Sequence, residues 1–309
     1  MGKYILNRVL TALVTVWIVT SLAWVMIQAI PGDPFTNEKR VIPEVRAAME
    51  RYYGLDKPLV VQYGIYMGRV LHGNLGLSFV YKTTTVNEII ARSFPVSADL
   101  GMRSIVFGFS VGIFLGILAA LNHNKFWDKF SILVAVIGVS IPAFVISAVL
   151  QYFVGVKLHL LPVAQWKGFE YTIMPVFALS LGMIAQVARY MRSQMLDVIG
   201  QDYVKTAKAK GLSQIAIVWR HEIRNAILPV ITILGPWIAF IITGTFVIES
   251  IFAIPGLGKY YVNSINTQDF TVVSGLTAFV GSMLVFCTLV VDILYGLIDP
   301  RIRIDGSSK

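Results

Sequence analysis

Six stretches of this 309-residue chain run without a charged side chain for long enough to cross a bilayer, which takes about 17–25 apolar residues. They are residues 9–30, 104–121, 130–154, 171–188, 225–248 and 270–291. The first follows Lys3 and Arg8, as a signal peptide would, but its length exceeds the usual apolar core of about 7–15 residues and predicts a retained span. Between the first and second runs the pattern turns amphipathic. Pro43 can open a helix through EVRAAMERYY that stops at Gly54. Residues 58–71 put Val60, Tyr63, Met67 and Val70/Leu71 on one helical face. Thr85 and Glu88 have capping-box spacing and predict a third short helix towards Phe94. Residues 31–99 therefore read as a folded helical segment, able to cap a pore or to dock a partner.

The second polar interruption, between the fourth and fifth runs, has its own pattern. Residues 202–210, DYVKTAKAK, form an unbroken helical stretch, and Gly211 fits the left-handed position that ends a helix. Ser213 can cap a second helix from Gln214 to about Leu228, with Ile215, Val218/Trp219, Glu222/Ile223 and Ala226/Ile227 on one face. Arg224 and Asn225 lie in that helix, and Pro229 follows it at the start of the fifth run. A helix this short is marginal alone in water, so it needs a surface to lie on: lipid headgroups or a cytoplasmic protein.

Composition supports a membrane protein. Hydrophobic residues make up 56% and charged residues 14%, against about 25% charged in a typical soluble domain. The single cysteine, Cys287, excludes an intrachain disulfide. The net charge of +9 is explained by lysines and arginines flanking apolar runs, without nucleic acid as a partner. With the N-terminus in the cytoplasm, the inside segments carry thirteen lysines and arginines, and the two short outside loops carry three: Lys157, Lys167 and Lys259. The long 31–99 segment escapes that rule. Both termini and residues 202–229 are thus expected inside, and residues 31–99 outside.

Within the runs, Gly108, Gly112 and Gly116 line one face and permit close helix approach. Pro142, Pro175 and Pro236 each remove a backbone hydrogen bond and can kink their helices. Arg103, Arg189, Arg192 and Asp292 lie at run ends, where snorkelling relieves most of the cost of a charge. Gln151 and Gln186 are polar groups inside runs, suited to bonding a neighbouring helix or lining a cavity. Arg103, Gln151, Gln186 and Arg189 are the candidates for a translocation path. The chain has no HExxH, no G-x-S-x-G elbow and no G-x-x-x-x-G-K-[ST] phosphate loop, so neither catalysis nor ATP binding is legible in it.

DYVKTAKAKGL followed by HEIRNAILP resembles the cytoplasmic coupling motif of inner-membrane permeases of binding-protein-dependent ABC importers, and of their peptide/nickel group in particular. PGDP at 31–34, YGLDKPLVVQY at 53–63, GNLGLS at 73–78, ESIFAIPGLG at 249–258 and DPRIR at 299–303 extend the resemblance along nearly the whole chain. It is closest to the first permease subunit of oligopeptide or dipeptide importers. Where the general permease motif begins Glu-Ala-Ala, this chain has Lys205-Thr206-Ala207, and the distance from Gly211 to Pro229 is longer. TQDF at 267–270 lacks the Arg-Asp-x-Pro common in the group.

The resemblance implies an all-α polytopic permease with six transmembrane helices. Its parts would be an N-terminal span at 1–30, an extracytoplasmic helical segment at 31–99, and a core at 100–309 containing the coupling segment 202–229. It implies a second, related permease, two cytoplasmic ATPases carrying ATP and magnesium, an extracytoplasmic substrate-binding protein and a peptide substrate, with nickel or another small solute as the alternative. No cofactor is expected in this chain. The coupling residues it points to are Asp202, Tyr203, Lys205, Thr206, Ala207, Lys208, Ala209, Lys210, Gly211, Arg224, Asn225 and Pro229.

Overall fold

The computed structural model describes residues 2–29, 50–81, 84–235, 237–238, 241 and 246–298. The helix start at Pro43, the PGDP stretch, Pro236 and DPRIR lie outside the described residues. In chain order the helices are α1 Gly2–Gln28, α2 Leu59–Leu71, α3 Val86–Leu121, α4 Phe126–Ser140, α5 Ala143–Leu150, α6 Glu170–Ile199, α7 Asp202–Ala209, α8 Gln214–Ile217, α9 Arg224–Thr232, α10 Phe246–Ile251, α11 Leu257–Asn266 and α12 Phe270–Ile298. Wider π-helical turns follow α5 at Gln151–Lys157 and α8 at Val218–Ile223. The only β pairing among the described residues is an isolated bridge between Leu77 and Thr85. The chain forms two compact units, Met1–Ser97 with Pro255–Lys309, and Ala98–Ile254.

Among the described residues four helices, α1, α3, α6 and α12, are long and apolar enough to cross a membrane, and the α4–α5 pair adds a fifth candidate. That pair replaces the single span expected at 130–154. The chain turns by 103° between its two arms. The cause is local: Pro142 disfavours the helical region for the residue before it, and Ile141 sits extended at φ −101°, ψ 119°. Pro142 then adopts φ −58°, ψ 141° as the N-cap of α5, where its missing N–H costs nothing. The short helix expected at 85–94 is instead the first part of α3. Its capping box is formed: Thr85 Oγ1 accepts from Glu88 N at 3.1 Å, and the Glu88 carboxylate accepts from Thr85 N at 3.3 Å. The helix continues through Pro95 to Leu121.

In the 98–254 unit, α6 is the buried axis. Its most apolar stretch is 72% buried, and Met174, Met183, Met191 and Met195 are sealed inside. The glycine stripe explains how neighbours approach it. A Cβ on Gly112 would lie 2.7 Å from Val187 Cβ, and one on Gly116 would lie 2.6 Å from Met191 Cβ. From α4, Gly138 comes equally close, with a Cβ there only 2.7 Å from the Leu181 carbonyl oxygen. Small residues substitute close van der Waals contact for the hydrophobic drive that lipid does not supply. Where α6 leaves the apolar zone, Arg192 reaches Asp128 with Nη2 2.9 Å from Oδ2, and Asp128 is buried. Arg192 is therefore ion-paired within the chain.

In the other unit, α1 runs along α12. Gly281 admits Val19, and Arg8 Nη1 lies 2.9 Å from Asp292 Oδ2. α2 docks through Tyr63, whose hydroxyl is 2.7 Å from Ser21 Oγ and whose ring meets Trp24 edge-on. Its inner side is rotated from the expected face, since Val60 and Leu71 are exposed. The loop after α2 is fixed by Asp269, at the mouth of α12. This buried carboxylate accepts from the Ser78 hydroxyl, from the Phe79 and Val80 amides at 3.2 Å each, and from Val272 N at 3.2 Å as the helix cap. TQDF lacks the expected arginine, yet its aspartate is the anchor of this loop.

Candidate functional site

The candidate coupling segment folds as two helices at a fixed elbow. α7 ends in a Schellman motif: Gly211 N bonds Lys208 O at 3.0 Å and Leu212 N bonds Ala207 O at 3.4 Å. That closure requires the left-handed φ of +75° found at Gly211. Ser213 then caps α8, its Oγ accepting from Ala216 N at 3.3 Å. Val204 and Ala207 on α7 pack against Ile217 beyond the elbow, with Val198 beside them, so the helices are held together by a small apolar core. Ala207 is thus used within the chain, and the outward surface of α7 consists of Asp202, Tyr203, Lys205, Thr206, Lys208, Ala209 and Lys210. Lys205 Nζ is 2.9 Å from Asp202 Oδ1, an exposed pair that adds little stability. Thr206 Oγ1 donates to Asp202 O at 2.9 Å.

The second half of the elbow departs from a 3.6-residue helix. Through the π turn, the buried positions are Ile217/Val218, Glu222/Ile223, Ala226 and Val230. Ile215 and Trp219, expected on the inner face, are 74% and 67% exposed. The extra residue per turn rotates the later positions and leaves these two outside. Tyr203 and Leu212 are exposed as well, so the segment presents four large apolar side chains to its surroundings along with its lysines. The apolar spacing of Ile215 and Trp219 pointed inward, and only the flanking polar residues at Arg220 and His221 hinted otherwise. Arg224 and Asn225 are exposed, with Asn225 Nδ2 donating to His221 O at 2.7 Å, and Pro229 lies exposed inside α9.

Glu222 is the unusual group of the segment. It is 1% exposed, and its Oε2 has no hydrogen-bond partner. Burial pushes its pKa up, against a smaller downward pull from Lys208.

The candidates for a translocation path are not brought to one place. Arg103 is held by Asp99, Nε to Oδ1 at 2.8 Å, and lines a cavity of about 550 Å³ walled by Phe107, Phe169 and Phe177. Gln151 donates to the carbonyls of Val163 and Ile251 at 2.9 and 2.8 Å, tying the π turn after α5 to the end of α10. Gln186 accepts from the Trp237 indole. Arg189 is exposed.

These features, a set of glycine-packed apolar helices and a capped polar elbow between two of them, are those of a membrane transport component. The chain matches the family described as "Binding-protein-dependent transport system inner membrane component" over residues 112–304, and the corresponding N-terminal family over residues 1–101. It belongs to this family. Among characterised relatives, it is 43% identical over 304 residues to a dipeptide transport system permease protein, DppB, of Bacillus subtilis, covering 98% of this chain and 99% of that one. It is 42% identical to an oligopeptide transport system permease protein, OppB, of Haemophilus influenzae and 40% identical to the OppB of Escherichia coli K12, each covering 98% of this chain and 100% of the relative. Two solved structures share the fold: the MetNI methionine ABC transporter in an inward-facing conformation, with TM-score 0.50, 16% identity and coverage of 68% of this chain and 94% of that one, and an amino acid ABC transporter, with TM-score 0.51, 15% identity and coverage of 70% and 94%.

Proposed function

We propose that this chain is a permease subunit of an ATP-driven peptide importer, forming half of a translocation pore with a second, related permease. The observation that carries the mechanism is the capped elbow at 202–223, which displays Tyr203, Leu212, Ile215 and Trp219 among Lys205, Lys208 and Lys210. Exposed apolar side chains accompanied by lysines fit a cleft with acidic rims on a cytoplasmic ATPase. ATP and magnesium are held there and not in this chain. When two such ATPases close, they drag α7, and the Val204–Ala207–Ile217 contact passes the movement to α9. The long names of the relatives, dipeptide and oligopeptide permeases, support peptide over nickel as the solute.

In this reading six spans cross the membrane, the fifth of them at 225–248, and both termini are cytoplasmic. Residues 31–99 face outward towards a substrate-binding protein, 1–30 form an N-terminal span, and 100–309 form the pore core. The test is uptake by vesicles containing this chain, its partner permease, both ATPases and the binding protein, offered di- to pentapeptides and nickel. ATP-dependent peptide accumulation is expected. Nickel accumulation without peptide, or peptide entry that needs no ATP, refutes the proposal.

A further inference from the structure

The unit formed by residues 1–97 and 255–309 contains a cavity of about 150 Å³ that the transport reading does not use. That is well above the minimum of about 10–15 Å³ for one enclosed water, so it has room for several waters or for a small solute. Its walls come from the end of α1, from residues 53–55, from α2, from the loop before α3 and from the start of α12. Most of its surface is apolar or aromatic, supplied by Trp24, Leu55, Phe79 and Phe270 among others. Among the described residues its lining holds one cation, Arg69, and no carboxylate, and every other described lining residue is uncharged.

Two donors in this wall have no acceptor. The Arg69 guanidinium lies 3.9 Å from the Tyr52 ring centroid and 5.0 Å from that of Tyr53. Stacking occupies the face of the group and leaves its edge of N–H donors available, and no carboxylate among the described residues meets it. The Tyr66 hydroxyl is buried and has no hydrogen-bond partner. A buried hydroxyl without a partner costs free energy, so a native structure that keeps one invites the question of what completes it. The other polar groups of the wall are already engaged. Gln62 Nε2 donates to Lys57 O at 2.8 Å, Gln28 Nε2 to Gln62 Oε1 at 3.4 Å, and Asn74 Oδ1 accepts from Gly76 N at 3.0 Å. Burial holds the Tyr66 pKa up at about 12, so it stays a proton donor across the physiological range.

We propose that this cavity binds a small apolar monocarboxylate, with Arg69 and the Tyr66 hydroxyl on the carboxylate and the aromatic wall around the body. The class follows from the charge balance. One cation without an anionic neighbour among the described residues suits a single negative charge, and the described wall offers no carboxylate for a zwitterion's ammonium. The carboxylate has two possible sources, a free acid or the C-terminus of a short peptide.

The test uses the purified full-length chain in detergent, without transport, so its outcome is separate from that of the uptake assay. Binding is measured by calorimetry for phenylacetate and phenylacetamide, and for acetyl-Ala-Phe and its C-terminal amide. Both acids, or phenylacetate alone, should bind, and the amides should not. Binding of both acids assigns the site to carboxylate termini generally; binding of phenylacetate alone assigns it to free acids. Tyr66→Phe and Arg69→Gln should each weaken acid binding by about tenfold or more. Tyr66→Phe removes a group that makes no bond in the empty cavity, so its thermal stability should equal or exceed that of the parent. Equal binding of acid and amide, no binding of either acid, or unchanged acid affinity in both variants overturns the proposal.

Discussion

Asp269 gives the sharpest test of how the fold is held. Replacing it with alanine removes at once the acceptor for the Phe79 and Val80 amides, the partner of Ser78 and the cap of α12 at Val272 N. Hydrogen bonds to a charged group contribute about 1.5–3 kcal/mol each, and a lost N-cap costs about 0.5–2 kcal/mol. These losses overlap, because the freed loop can turn its amides towards water. A net cost of about 3 kcal/mol for opening the 76–81 loop is the expected order. The change is local, so hydrogen exchange in detergent is a better readout than global unfolding, and about 3 kcal/mol corresponds to about two orders of magnitude in exchange rate. A peptide containing Phe79 and Val80 should show that acceleration in Asp269→Ala, while peptides from α6 should not change. Asp269→Asn keeps an acceptor and a cap but loses the charge, and should fall between the two. If exchange in the 78–81 region changes by less than about threefold in Asp269→Ala, the carboxylate is not what holds this loop, and the reasoning fails.

Three further outcomes are expected. Gly211 has φ +75° and open space around it, so Gly211→Val is penalised by backbone strain of about 1–3 kcal/mol and not by a clash, and Gly211→Asn much less; the valine variant should insert normally but lose ATP-driven uptake, and normal uptake with normally stimulated hydrolysis would contradict the elbow mechanism. Burial raises the pKa of Glu222, so its ionisation is harder in the fold than in the unfolded chain, and its contribution is complete below the ordinary value of 4.5 and lost as pH rises through the raised value; Glu222→Gln should flatten the fall in thermal stability as pH climbs above 4.5, and parallel pH profiles for variant and parent would refute this. In a Cys287→Ala background, a cysteine at Asn124 should react only with reagent applied from the cytoplasm and one at Asn37 only from outside, and labelling from the same side would overturn the charge-based orientation.

Much of the fold was written in the spacing of charges. The C-terminal end of α1 and the N-terminal ends of α6 and α12 fall within two residues of the ends of charge-free runs, because a lysine or aspartate is costly in hydrocarbon, whereas α6 runs on past its run through Arg189, Arg192 and Asp197 to Ile199. The glycine stripe in α3, the capping box at Thr85 and Glu88, and the left-handed Gly211 were legible for a similar reason. Each is a local requirement that few residue types satisfy. The division of labour at run ends was not legible. Arg192 has the composition of a headgroup anchor, and nothing in its neighbourhood in sequence announces that Asp128, 64 positions earlier, will meet it. TQDF departs from the Arg-Asp-x-Pro common in the group, and nothing in it announces the four donors of Asp269, which come from residues distant in sequence or from its own helix start.

The misplacement of Ile215 and Trp219 has a more specific cause. Assigning a helical face assumes 3.6 residues per turn throughout. The π turn at Val218–Ile223 holds one residue more, so positions on either side of it no longer share a face. The inward positions then run from Ile217 to Glu222, five apart, and on to Ala226. Glu222 keeps its place on the inner face, where its Oε2 has no partner among the described residues, while Ile215 and Trp219 lie outside. A regular helix with the expected face inward would have buried Trp219 together with Glu222, so the π turn changes the place of the aromatic and not that of the carboxylate. If the elbow docks on an ATPase as proposed, a variant that deletes one residue from 218–223 should bury Trp219 and weaken ATPase retention together, and full retention with Trp219 buried would refute that docking.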